Sequence, residues 1–141
     1  SVVIVKIFGP VVKATLTLEK PEGYLIPVSN TDLTEWIKRH GFTVAKIGEK
    51  SKLQFEKIRI MSVDSIDFEG DIIPFPQISS SPVEAGIQIN NYLYVPTAQL
   101  KGNLLVIALE PQSELGLATY REFEFLMKRE SDYPVIRVRK K

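Results

Sequence analysis

The chain has no cysteine and a single histidine, His40, among its 141 residues. The first absence excludes disulfides, thiolate nucleophiles and cysteine-ligated metals. The second excludes a zinc site of three histidines, or of two histidines and a carboxylate, built from this chain alone. It also leaves no second histidine for a multi-histidine proton relay. Neither sign of charge dominates: 18 Lys+Arg face 17 Asp+Glu, a formal charge of +1. A nearly neutral chain has no general attraction to nucleic acid or to anionic lipid, so nucleic acid is not an expected partner. Long apolar runs are missing too. The longest, Leu104 to Leu109, is far below the ~20 residues that cross a bilayer, and no membrane span is expected. Val2 to Val5 is cut short by Lys6 and has neither a basic leader nor a small-residue cleavage site. It does not read as a signal peptide. Opening on strand-forming residues fits a mature protein or an excised domain. Glycine-rich phosphate loops are absent as well, since Gly9, Gly23, Gly41 and Gly48 are isolated.

What remains is globular: 44% hydrophobic and 25% charged residues, close to ordinary soluble values. The length suits one domain, and no composition shift marks a boundary, so residues 1–141 read as a single β-rich domain. Val2 to Phe8 is β-branched and apolar, punctuated by Gly9-Pro10. Val12, Ala14, Leu16 and Leu18 alternate with polar residues, the period of a half-buried strand. Tyr24-Leu25-Ile26 is a short strand stopped by Pro27. A helix is expected at about 31–40. Ser29, Thr31 or Asp32 would cap it, with Glu35 three residues after Asp32. Leu33, Trp36 and Ile37 form its apolar face, Lys38-Arg39-His40 its basic last turn and Gly41 its left-handed cap. Phe42 to Ile47 suggests another strand. Leu53, Phe55, Ile58 and Ile60 mark a longer one, with a phase change near Glu56-Lys57 that suggests a bulge. Pro74, Pro76, Pro82 and the run Ser79-Ser80-Ser81 make 70–82 an expected loop. Val83, Ala85, Ile87 and Ile89 alternate again, Asn90-Asn91 reads as a tight turn, and Tyr92 to Val95 leads away from it. Leu104 to Leu109 reads as a fully buried strand. Thr119 to Met127 fits either period. Tyr133 to Val138 is a last strand, followed by a solvated basic tail. Eight to ten short strands and one helix point to a mainly β (α+β) fold, sandwich-like antiparallel sheets with one short covering helix.

Few residues group in a way that carries chemistry. Asp64, Asp67, Glu69 and Asp71 form an acidic cluster that would suit calcium, although it lacks the glycine and terminal glutamate of an EF-hand loop; a solvated face is the plainer reading. His40 is explained by its place at a helix end. Ser79 to Ser81 sit in no nucleophile elbow, and Trp36 reads as core. No catalytic, cofactor or metal-ligating residue is assigned. Tyr92 and Tyr94, beside Asn90 and Asn91, are the candidate ligand-binding pair, able to stack on a sugar or a peptide or to form the rim of a sheet. Arg137, Arg139, Lys140 and Lys141 suit phosphate contact less well than a frayed tail.

Three stretches together carry a resemblance. The first is Tyr24-Leu25-Ile26-Pro27, a helix closing on Lys38-Arg39-His40-Gly41, and Phe42-Thr43-Val44. The second is Tyr94-Val95-Pro96-Thr97-Ala98-Gln99. The third runs from Leu105 to Leu109 through Glu110-Pro111-Gln112-Ser113, Tyr120 and Phe123 to Tyr133-Pro134-Val135-Ile136-Arg137. From about residue 21 to 137 the chain resembles the region downstream of the catalytic domain in large bacterial zinc carboxypeptidases of the carboxypeptidase A-like family. The family usually places an acidic residue and a serine after the Glu-Pro corner and then a tryptophan; Leu115, Gly116 and Tyr120 stand here instead. The resemblance implies a non-catalytic C-terminal accessory domain of a secreted, periplasmic or envelope metallocarboxypeptidase. Zinc would lie in the upstream catalytic domain of the same polypeptide. That domain and the parent hydrolase's peptide substrate are the implied partners, and His40 matches a structural helix end. The alternative is a free-standing carbohydrate- or peptide-binding β-sandwich centred on Tyr92 and Tyr94. A third reading, a small hydrolase, would rest on converging carboxylates in the Asp64–Asp71 cluster.

Overall fold

The computed structural model describes residues 2–7, 14–68, 71–83, 86–113, 116–117, 123, 126 and 128–141. The chain divides into two compact units. The architecture is mainly β, with antiparallel strands in two sheets and two short α-helices among the described residues.

The first unit comprises Ser1–Lys20, Arg59–Ser79 and Asn103–Tyr133. β1 (Val2–Ile7) and β2 (Ala14–Glu19) form an antiparallel hairpin in which Val2 faces Glu19 and Ile7 faces Ala14. On β1, Val3 is buried while Val2 and Ile4 are exposed, a strand alternation that its apolar sequence does not display. β4 (Leu53–Phe68) contributes Arg59 onward to this unit, where Arg59 and Ile60 pair with Asp132 and Ser131 of β7 (Ser131–Asp132). β5 (Asp71–Pro82) takes the place of the loop expected at 70–82. The three prolines forced that expectation, yet all three stand at even positions, so their missing N–H groups fall on one side of the strand. β5 is the terminal strand of its sheet, the position in which proline is tolerated. Val83, of opposite parity, donates to the Phe55 carbonyl.

α2 (Gly102–Leu109) replaces the buried strand expected at Leu104–Leu109. A short apolar run has no period to separate the two, and burial decides. Leu105, Val106, Ala108 and Leu109 are all buried, and the Glu110 N–H donates to the Val106 carbonyl, continuing the helical ladder. The Tyr133 hydroxyl donates to the Leu109 carbonyl at 2.6 Å, closing the helix end. Most of the ambiguous stretch 119–127 lies outside the described residues; Phe123 and Leu126 are buried.

The second unit comprises Pro21–Ile58, Ser80–Gly102 and Pro134–Lys141. β6 (Tyr92–Pro96), β3 (Gly23–Pro27), β8 (Ile136–Lys140) and the first half of β4 lie side by side in that order. Leu25 pairs with Tyr94 on one side and Ile136 on the other, and Phe55 pairs with Val138. β3 is the fully buried centre, with Tyr24, Leu25 and Ile26 all inside. Leu25, Ile136 and Val138 form a cluster on one face, covered by Ile47, Leu53, Phe55, Ile87, Ile89, Tyr92 and Tyr94.

α1 (Thr31–Arg39) matches the expected helix. Its cap is Asn30 rather than Ser29, Thr31 or Asp32: the Asn30 side chain accepts from the Leu33 N–H at 3.2 Å, and asparagine caps as well as serine or aspartate. Leu33, Trp36 and Ile37 are buried, and Gly41 takes φ 72°.

Four further expectations give way here. Of Phe42–Ile47 only Ala45 bridges a strand, at Tyr94. The described part of 83–89 is not a strand, and Ile87 and Ile89 serve as cover for the Leu25 cluster. The phase change at Glu56–Lys57 is not an insertion in β4. Two residues separate its paired stretches, while four, 133–136, separate them on the partner side. The basic tail is the end of β8, with Lys140 paired to Leu53.

Candidate functional site

The second unit carries an open cleft of about 720 Å³ on the face that holds the Leu25 cluster. Its apolar floor is Leu53 and Tyr94, and Lys52, Lys140 and Lys141 stand around it with Glu49. An adjoining hollow of about 620 Å³ shares Leu53 and Lys141 and adds Lys50, Phe55 and Ile87. Volumes in this range hold small-molecule or short-peptide ligands.

Tyr94 is fixed by three contacts. Its hydroxyl donates to the Glu22 carbonyl at 3.3 Å. Its own carbonyl accepts from the Ala45 N–H at 2.9 Å. Its ring lies across Gly23, where an added Cβ would come within 2.5 Å of the Tyr94 Cε1 and 2.7 Å of the Val95 carbonyl oxygen. The backbone at Gly23 therefore has to be bare for the ring to reach Glu22. Burial pushes the Tyr94 hydroxyl above its ordinary pKa, and the negative charge of Glu22 adds to the effect. It stays protonated and donating across the physiological range.

The free edge of β6 is closed by a side chain. Gln99 Oε1 accepts from the Thr43 N–H at 2.8 Å, and Nε2 donates to the Thr43 carbonyl at 3.0 Å and to the Pro96 carbonyl at 2.6 Å. One amide thus behaves as a strand residue would, which is why 42–47 needs no ladder of its own.

The structure treats the residues singled out in the sequence differently. Tyr92 and Tyr94, two apart on β6, share a face and both half-bury against the Leu25 cluster, but Tyr94 alone lines the cleft. Trp36 is core, stacked between His40 at 4.3 Å and Phe42 at 5.5 Å. His40 caps α1, its Nδ1 at 2.9 Å from the Trp36 carbonyl. Ser79, Ser80 and Ser81 are exposed on β5. Asp64 is exposed, whereas Glu69 and the side chains of Asp67 and Asp71 lie outside the described residues. Among the described residues no group of three or more metal-ligating side chains converges, and no helix is long and apolar enough to cross a membrane.

The C-terminal basic run splits. Arg137 and Arg139 point to the face opposite the cleft, where Glu56 accepts from Arg137 at 2.7 Å and lies 3.5 Å from Arg139. Lys140 and Lys141 border the cleft. Sequence reading missed Lys50, Lys52 and Leu53 as lining residues, since only the pairing of β4 with β8 brings them to Lys140; for Lys140 itself the signal was its alternation with Arg137 and Arg139. Compared with known proteins, the chain matches no family model, no characterised protein and no solved structure.

Proposed function

We propose that the chain is a peptide-binding module without catalytic chemistry of its own, its ligand lying over Tyr94. The observation that carries this is the cleft of about 720 Å³ floored by Tyr94 and Leu53, with the tyrosine ring pinned in place. A rigid aromatic platform gives contact area at low entropic cost. The floor sets the apolar Leu53 beside Tyr94, which suits an apolar peptide side chain better than a sugar covered in hydroxyls, and the lysine ammoniums around it can donate to peptide carbonyls. Among the described residues Glu49 is the one acidic side chain in the lining, and one carboxylate supplies no acid–base pair. A panel of short peptides titrated into labelled protein and followed by amide chemical shifts tests this. Shifts centred on Leu53, Tyr94 and Lys140 are expected. A panel that moves none of them, or an array in which glycans alone bind, overturns it.

A second reading is favoured by the order of elements in the second unit. The Tyr24–Pro27 strand leads straight into a helix ending at His40–Gly41, the order that the carboxypeptidase resemblance implies. On that reading the module is the C-terminal accessory domain of a secreted or envelope zinc carboxypeptidase and presents peptides to a catalytic domain upstream. A zinc-peptidase domain encoded ahead of Ser1 in the natural gene is the expected finding. Peptide hydrolysis by the 141-residue chain alone would overturn this reading and the first.

A further inference from the structure

We infer that the cleft selects acidic peptides, holding an apolar side chain over Tyr94 and Leu53 while carboxylates on either side meet the surrounding lysines. This rests on the peptide reading of the same cleft and adds the ligand's charge and layout. The two adjoining hollows share Leu53 and Lys141, so the apolar strip continues from Tyr94 through Leu53 to Phe55 and Ile87. Lys50, Lys52, Lys140 and Lys141 border that strip. Two carboxylates stand near them. Glu49 pairs with Lys52 at 3.2 Å and Glu22 with Lys140 at 3.7 Å, and these lysines stay about three-quarters exposed, at 79% and 76%. Exposed pairs of this kind contribute little and give way readily to a competing carboxylate. Lys50 and Lys141 have no ion pair among the described residues.

The concentration of cations here is a product of strand geometry. The chain as a whole carries a formal charge of +1. Alternation along β8 sends Arg137 and Arg139 to the opposite face, where Glu56 meets them. Lys140, of the other parity, goes to the cleft, where Lys141 from past the end of β8 and Lys50 and Lys52 from the segment before β4 join it. A nearly neutral protein thereby presents a locally positive groove over an apolar floor, the complement of an acidic peptide with an apolar centre.

Fluorescence anisotropy with three labelled hexapeptides tests this: Glu-Glu-Leu-Phe-Glu-Glu, its analogue with lysine in place of glutamate, and its analogue with glycine in place of Leu-Phe. The acidic apolar peptide is expected to bind at least about tenfold tighter than either analogue. Raising salt from about 50 mM to about 500 mM should weaken it severalfold, because exposed charges are screened. The double variant Lys140→Glu, Lys141→Glu should lose that preference with an unchanged circular dichroism spectrum, and Tyr94→Ala should weaken all three peptides together. Equal affinity for acidic and basic peptides, unmoved by the lysine variant, overturns charge selection while leaving the peptide module standing. Absence of binding by every peptide overturns both. Capture by phosphatidylserine vesicles with no peptide binding also overturns both and assigns the lysines to a lipid surface.

Discussion

Arg137 and Lys140 stand three residues apart on β8 and lead opposite lives. Arg137 is buried, its side chain 6% exposed, and holds Glu56 at 2.7 Å; Lys140 is 76% exposed with a carboxylate no nearer than 3.7 Å. The same charge, on the same strand, fastens one face of the sheet and stands exposed beside the cleft on the other. A burst of basic residues at a chain end is therefore not one object. The two-residue period of the strand sets Lys140 on the cleft face and Arg137 and Arg139 on the other.

The sharpest way to break that contrast is on the buried side. Arg137→Ala leaves Glu56, itself only 21% exposed, without its closest cation. A loss of about 2–3 kcal/mol is expected in urea unfolding, since a charge-assisted hydrogen bond to a half-buried carboxylate is lost and Arg139 remains only at 3.5 Å. Gly23→Ala acts on the cleft face through backbone space. The new Cβ would sit 2.5 Å from the Tyr94 ring, and a loss of about 1–3 kcal/mol is expected from overpacking. The ring is displaced as well, read as a changed Tyr94 signal and weakened peptide binding. Tyr94→Phe removes one hydrogen bond to Glu22 and should cost about 1 kcal/mol. It should also flatten the alkaline limb of the stability profile. The folded-state pKa of Tyr94 lies above its ordinary value of 10.0, so its stabilisation is complete below that value and is lost as pH rises through the folded one. Thermal melts of the two proteins above pH 10 check this. Smallest in stability is Lys140→Glu with Lys141→Glu, expected within about 0.5 kcal/mol of the parent in the same urea experiment, because neither residue is buried.

How far these positions were legible in the sequence follows from which forces are local. α1 shows in its apolar spacing, basic last turn and Gly41, because helix ends are settled within a few residues. Asn30 as its cap was missed only because several neighbours qualify. The mainly β architecture shows in the alternation of β2 and in the short apolar run of β3 stopped by Pro27. α2 does not show, since a run apolar on nearly every side has no period and tertiary burial settled it. β5 was hidden by its prolines, although their shared parity already allowed an edge strand. Tyr94 stood out in the sequence beside Tyr92, and Lys140 and Lys141 as part of a basic tail, but their grouping with Lys50 and Lys52 did not show. Lys50 and Lys52 meet Lys140 and Lys141 only through the pairing of β4 with β8, contacts some 90 positions apart that no local pattern encodes.

Gln99 has a wider consequence. Sheet borders recruit other chains when their amides stand open, and proteins usually block them with lysines, prolines or an extra strand. Here one glutamine amide, reaching Thr43 and Pro96 together, does that work. A single neutral side chain thus completes the cover that the Ala45 bridge to Tyr94 begins along this border. Gln99→Ala would unmask a docking edge and turn a monodisperse preparation into one that grows with concentration in light scattering.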